Sequence, residues 1–279
     1  MRTIFLGKID GRGLAIFRIL FATVLFCELF TLSDFLEIIY SKVAFVQTGE
    51  FKAEILYHLW MIVTVMIGLG FFTMPMAVVN YLFSLVIFGS AHDFEYHIFY
   101  GYILLSFLLF FMPISRHYSL DSLIKRVKYS SGKGAYEPGQ KVLALNYLFP
   151  VFSLIGLFYF DSVLFKLDSR MWLDGLGMWK PSNIPMATWS DTSWLMNNEN
   201  LVIFLGYTVI IFEVVFVFTF WRKKFRLILM LIGFGFHLGI LLEFPIPWFA
   251  LAFCVVYLLM VPVSFWVYLS RKLKLKKAK

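Results

Sequence analysis

The sequence predicts an all-α integral membrane protein, a bundle of about eight transmembrane helices with both termini in the cytoplasm. Three observations predict it. The chain is 61% hydrophobic and only 15% charged, with a mean hydropathy of +0.81, whereas soluble domains are about half apolar and a quarter charged. Eight windows are long and apolar enough to be read as spans. The Lys and Arg residues gather in alternate connecting segments.

A span needs about 20 mostly apolar residues to cross roughly 30 Å of hydrocarbon. The windows run from Leu14 to Ser33, Ile55 to Phe72, Met76 to Gly89, Ile98 to Ile114, Val142 to Phe165, Leu201 to Trp221, Phe225 to Glu243 and Pro247 to Leu269. The third is short. Thr73, Met74 and Pro75 form a tight break before it, so the second and third windows make either a hairpin or a partly re-entrant pair. Residues 1–270 therefore read as a single membrane domain, followed by a basic cytoplasmic tail over 271–279.

Orientation follows from the positive-inside rule. With Arg2, Lys8 and Arg12 inside, the count places inside the loop over 115–141, the Arg222, Lys223, Lys224, Arg226 turn and the tail. All three are basic. The segments placed outside, Asp34 to Glu54, Ser90 to His97 and the long loop over 166–200, carry more acid than base. That long loop holds Trp172, Trp179, Trp189 and Trp194 and reads as a cap on the outer interface.

Several function classes are excluded. The net charge of +8 finds its partner in anionic lipid at the cytoplasmic face, since no folded soluble surface is expected to meet nucleic acid. Cys27 and Cys254 fall inside spans and read as small apolar groups. GxSxG, HExxH and CxxC motifs are absent. The run Ser130-Ser-Gly-Lys-Gly134 lacks the spacing of a phosphate-binding loop. The start, Met1 to Lys8, lacks a cleavable leader pattern, so the first helix is expected to stay as an anchor.

Ionisable groups at membrane depth are costly and mark function by default. On this topology His97, Asp161, Lys166, His237 and Glu243, from three helices, share the outer leaflet; Arg18 and Glu213 lie nearer the inner side or mid-depth. Lys166 reads either as a cation snorkelling to the interface or as a base. A lysine in apolar surroundings is disfavoured as a cation, which makes a neutral amine available. Asp161, five residues earlier, is about 140° off the Lys166 face. His92, Asp93, Glu95 and His97 lack the spacing of a shared helix face, and no metal site is expected. His237 lies inside a Gly235-Phe-His-Leu-Gly239 pattern that favours close helix approach. Arg18 reads as a partner of Glu28 or Glu213, a structural ion pair being an equal alternative to a functional role.

Four stretches, in order, carry a family resemblance: Leu14-Ala-Ile-Phe-Arg-Ile-Leu-Phe21; His97-Ile-Phe-Tyr-Gly-Tyr with Phe111-Met and Tyr118-Ser-Leu-Asp121; Tyr159-Phe-Asp-Ser-Val-Leu-Phe-Lys-Leu-Asp168 with Trp172-Leu-Asp-Gly175; and Phe236-His237 with Phe244-Pro and Trp248. Together they resemble the HTTM family, the membrane domain shared with vitamin K-dependent gamma-carboxylase. The resemblance implies that Lys166 is the base that deprotonates a reduced, vitamin K-like quinone and that His97 and His237 face the same chamber. Arg18, Asp161, Asp168, Glu213 and Glu243 are supporting residues. In the family the reduced quinone reacts with oxygen, and the resulting strong base opens a glutamate to carbon dioxide. The carboxylase continues into a large extracytoplasmic domain and carries an apolar residue in the place of Asp161. Both departures argue against glutamate carboxylation and leave quinone chemistry open. Short members of the superfamily, the sporulation-delaying protein B group, are linked to maturation of an exported peptide.

Three readings follow: a quinone-dependent oxidoreductase or carboxylase-like enzyme; a non-enzymatic membrane factor for maturation of, or immunity to, an exported peptide; and, with less support because inverted repeats are not evident, a transporter. The partners implied are anionic lipid and either an exported peptide or a thiol or quinone redox protein. A bacterial inner membrane fits a short chain of this family.

Overall fold

The structure, a computed structural model, describes residues 5–40, 53–91, 96–129, 139, 141–184, 188–262, 264, 265 and 268. His92, Asp93, Glu95, the Ser130–Gly134 run and the tail over 271–279 lie outside the described residues. Among the described residues four helices are long and apolar enough to cross a membrane: α1 (Arg12–Ser33), α6 (Leu145–Asp168), α7 (Glu199–Thr219) and α8 (Lys223–Glu243). Shorter apolar helices stand at the other four predicted windows: α2 (Ala53–Leu69), α3 (Thr73–Gly89), α4 (Ile98–Leu108, continued by a 3₁₀ turn Leu109–Phe111) and α9 (Pro247–Tyr257). An amphipathic helix, α5 (Leu120–Tyr129), follows α4. The chain divides into two compact units, Met1–Tyr147 with Pro262–Lys279, and Leu148–Val261.

In the first unit α1 packs on α2, α2 on α3 and α3 on α4. Leu14, Phe17, Phe21, Leu25 and Leu29 form a buried stripe at helical spacing. Arg18 lies on that stripe, fully buried. The expected pairing with Glu28 or Glu213 is corrected. The Arg18 guanidinium donates instead to backbone carbonyls, those of Ile114 (2.7 Å), Tyr118 (2.5 Å), His117 (3.4 Å) and Gly68 (3.4 Å). Glu28 accepts from the Tyr102 hydroxyl at 3.2 Å.

The carbonyls belong to the last turn of α2 and to the loop before α5, and Asp121, at the start of α5, bonds the turn that follows α2. Its carboxylate accepts from the backbone N–H of Phe72 and Thr73, both at 2.9 Å, and from the Thr73 hydroxyl at 2.6 Å, while its own N–H donates to the Gly70 carbonyl. An acceptor brought from α5 thereby satisfies the orphan donors that open α3. Gly70 has φ +68, and a Cβ there would overlap Ser119 and sit 2.7 Å from Arg18 Nη1, so the turn needs glycine twice over. The break foreseen at Thr73 to Pro75 is thus a hairpin turn centred three residues earlier, and Pro75 sits in the first turn of α3, where its missing N–H costs nothing.

Two departures from the sequence reading concern ends of spans. Val142 and Leu143, read as the start of a span, form with Lys141 a strand antiparallel to Lys8–Asp10, with Lys8 opposite Leu143 and Asp10 opposite Lys141. The fold is therefore not wholly helical, because Lys141, Val142 and Leu143 alternate exposed and buried side chains and so fit a ribbon face. The last span does not run unbroken to Leu269. A 3₁₀ turn, Leu258–Met260, ends α9 and Val261 is extended, as the residue before Pro262 must avoid the helical region.

In the second unit α6 packs on α7, and α8 on α9. Pro150 lies inside α6, and Phe152–Gly156 forms a π-helical segment immediately after it. The missing proline N–H and the added residue of a π turn relieve the same stretch of backbone. Asn198 caps α7, its side-chain oxygen accepting from Leu201 N–H at 3.2 Å. Arg226 closes the turn between α7 and α8 by donating to the Phe220 and Trp221 carbonyls, each at 3.1 Å.

Two predictions follow from the first unit. Replacing Asp121 by Ala should lower stability by about 1–2 kcal/mol, read as a drop in the thermal midpoint of detergent-purified protein; an unchanged midpoint refutes the capping role. His117 is buried beside this junction, and its Nε2 has no hydrogen-bond partner among the described residues. Burial holds its pKa below the ordinary 6.5, with Asp10 opposing and Arg12, Arg126 and Arg116 reinforcing the shift. An unfolded His117 then binds protons that the folded one refuses, so the stabilisation is present above pH 6.5 and is lost as pH falls through that value toward the lower folded pKa. His117→Asn should flatten this acid limb in a pH series of melting curves.

Candidate functional site

The ionisable residues singled out by the sequence divide between the units. His97 belongs to the first, exposed at the start of α4. Lys166 and His237 belong to the second, where α6 to α9 surround two linked polar groups.

On α6, Tyr159, Ser162 and Lys166 recur at three- and four-residue spacing and share one face. Lys166 Nζ donates to both carboxylate oxygens of Glu213 on α7, at 2.6 and 2.7 Å, and to Ser162 Oγ at 2.5 Å. The Ser162 hydroxyl in turn donates to Glu213 Oε1 at 3.4 Å. The ammonium also lies 4.9 Å from the centre of the Trp172 ring, within reach of a cation–π attraction. The side chains of Lys166 and Glu213 are 12% and 3% exposed. Glu213 was assigned to a different level of the membrane; the structure brings it to Lys166. The image of an amine alone in apolar surroundings is corrected as well, since a carboxylate faces it directly.

Two turns before Lys166 on α6, at Tyr159, lies the second group. The Tyr159 hydroxyl shares hydrogen bonds with His237 Nε2 of α8 (3.2 Å) and the Tyr257 hydroxyl of α9 (2.6 Å). His237 is buried, stacked on Phe253 at 4.4 Å between centres and flanked by Phe249 at 6.0 Å. Its Nδ1 has no hydrogen-bond partner among the described residues. The ring of Tyr159 also meets Phe212 and Phe216, the neighbours of Glu213 on α7.

The glycines around His237 do not act as expected. A Cβ at Gly235 or Gly239 would meet open space, whereas one at Gly233 would overlap the Tyr257 phenol. Close approach to α8 therefore happens at Gly233, two residues before the GxxxG pattern and one turn before His237, and it is what seats Tyr257 beside His237.

The remaining residues have separate tasks. Glu243 ends α8 and accepts from Thr192 Oγ1 at 3.1 Å, while its carbonyl accepts from Trp189 N–H and the Leu242 carbonyl from the Trp189 indole, each at 3.0 Å. It pins the loop of the second unit and does not join Lys166. Asp161 and Asp168 are exposed on α6, as the 140° offset of Asp161 requires. Sequence reasoning missed Ser162, Tyr159 and Tyr257. Ser162 was accessible through its i, i+4 spacing to Lys166; the tyrosines carry no such mark in a chain that is 20% aromatic.

A double-mutant cycle on Lys166→Met and Glu213→Leu tests the pair. Either single change leaves a buried charge unmatched and should cost about 3–5 kcal/mol, while the double change should restore much of that loss. Additive losses in thermal or denaturant unfolding would show that the two side chains are independent.

Comparison with known proteins agrees with the geometry in one respect. No curated protein and no solved structure gives a significant match. The family model of the HTTM domain matches residues 7–266, which takes in both units and every helix described above. With four helices able to span a bilayer and a match over nearly its full length, the chain belongs to the HTTM domain family and is an integral membrane protein.

Proposed function

We propose that this protein is a membrane enzyme in which Lys166, coupled to Glu213, takes a proton from a hydroxyl of an apolar substrate, a reduced quinone fitting best. The observation that carries the reading is the Lys166–Glu213 pair, which is enclosed but retains a reachable lysine. Away from water the Coulomb gain of such a pair is largely offset by desolvation. Moving the proton from Lys166 to Glu213 leaves no net charge, so a neutral amine is reached without bringing in an external base. Ser162, bonded to both partners, keeps the amine and the carboxyl in register. Accepting the substrate proton returns Lys166 to its cationic form beside the hydroxyl's conjugate base, and the total charge is unchanged.

His237 supports the same substrate class. An unpartnered nitrogen among Phe249 and Phe253 suits a flat ring bearing polar substituents. A reduced quinone bound there supplies the redox chemistry; the chain supplies the proton acceptor, the aromatic enclosure and the exclusion of water. His97 lies in the other unit and has no part in this reading.

The distribution of basic residues supports eight spans with both termini inside, the Arg222–Arg226 turn in the cytoplasm and Lys166 in the outer leaflet; a bacterial inner membrane is the location that fits a short chain of this family.

The test is turnover of a reduced naphthoquinone by purified protein in proteoliposomes. Lys166→Ala should lower the rate by at least about 100-fold, the scale of a lost general base, in protein that still elutes as a single folded species. Equal quinone consumption by wild type and variant overturns the reading.

A further inference from the structure

The first unit holds a polar and apolar cleft that the proposed chemistry does not use. It has a volume of about 510 Å³ and is lined by Lys8, Arg116 and Lys141 together with Met74, Phe111 and Leu143. The β ribbon sets the cations. Lys8 lies opposite Leu143 and Lys141 two positions along, so strand alternation puts all three side chains on one ribbon face. Arg116 Nη1 donates to the Lys141 carbonyl at 3.3 Å and the Gly139 carbonyl at 3.5 Å, holding the guanidinium against the ribbon. Asp10, the acid across from Lys141, is paired with Arg12 at 3.4 Å. No carboxylate neutralises Lys8, Arg116 or Lys141 among the described residues. Beside them Met74 and Phe111 are 45% and 65% exposed.

We propose that this cleft is a binding site for an anionic phospholipid, the phosphate held by Lys8, Arg116 and Lys141 and an acyl chain lying along Met74, Phe111 and Leu143. A soluble phosphate would match the cations and leave the apolar wall unused; a zwitterionic lipid would match the wall and present its own cation to the lysines. Helix α5, four residues beyond Arg116, argues independently for a lipid surface at this level. Leu120, Leu123, Ile124 and Val127 form one stripe at i, i+3, i+4 and i+7, between 37% and 67% exposed, while Lys125 and Arg126 occupy the far side. Such a helix lies in the plane of the headgroups with its apolar side toward the acyl chains. The arrangement rests on the chain being a membrane protein and is independent of the chemistry at Lys166.

Delipidated full-length protein in detergent, titrated with phosphatidylglycerol and read by native mass spectrometry, tests the site. Phosphatidylglycerol should form a saturable adduct, and phosphatidylcholine should bind on the order of tenfold more weakly. Lys8→Gln with Lys141→Gln should weaken phosphatidylglycerol by a similar factor, whereas Lys223→Gln with Lys224→Gln, which removes the same charge from the second unit, should not. Both lysines of the cleft are exposed, and an unchanged melting curve verifies the fold. Phe111→Ser, which spares every cation, should also weaken the adduct. Equal losses from the two lysine pairs would reduce the site to diffuse attraction and overturn the proposal. So would displacement of the lipid by an equal concentration of inorganic phosphate, which would identify a free-anion site.

Discussion

A guanidinium inside an apolar bundle has no water to receive its hydrogen bonds, and the first unit is arranged around how Arg18 meets that constraint. Its acceptors are carbonyls on two segments far apart in sequence, the last turn of α2 and the loop before α5. The positive charge is thus met by several backbone dipoles rather than by one carboxylate. Asp121 completes the junction by turning its negative charge onto the N-terminus of α3, where the helix dipole is positive. Arg18 and Asp121 then act on opposite sides of one turn. Two stretches that suggest the family by eye, Phe17-Arg18 and Tyr118 to Asp121, prove to be halves of this single structural device.

The second unit applies the same rule with a different outcome. Lys166 is matched by a true counter-ion, Glu213, and by a hydroxyl, on the faces where α6 and α7 pack. Carbonyl acceptors cannot take up a proton at ordinary pH; a carboxylate can. The contrast separates a cation built into architecture from one suited to proton transfer, although both are buried charges in apolar helices. His237 falls on the second side of that division because its hydrogen bonding is incomplete.

Legibility in the sequence followed the physics of each signal. Hydropathy located an apolar helix at each of the eight windows, since burial in lipid demands a long unbroken apolar run. It placed the ends of α1, α7 and α8 within two residues. It failed where local backbone rules override hydropathy, at the ribbon strand Lys141–Leu143 and at Pro262. Lys166 and His237 were visible because a charge or an imidazole is conspicuous among apolar residues. Their partners were harder to find: helical spacing links residues on one helix, as with Ser162 and Lys166, but gives no means of ranking contacts between helices, so the pairing of Glu213 with Lys166 could not be read from the sequence. The glycines at 235 and 239 misled for a related reason, a pattern permissive of packing being no evidence that a helix packs there.

The π segment in α6 ties these points together. A π turn carries one residue more than the α-helical turn it replaces, and one residue is about 100° of rotation. Everything after Gly156 is turned by that amount relative to Leu148–Val151. Were Phe152–Gly156 wound as uninterrupted α-helix, Phe165 would come to the place of Lys166, Asp161 to that of Ser162 and Phe158 to that of Tyr159. The face α6 turns toward Glu213 and Tyr257 would lose its lysine and its tyrosine and set an aspartate near Glu213. The polar character of the second unit is therefore a matter of helical phase as much as of composition, set ten residues before the lysine that depends on it.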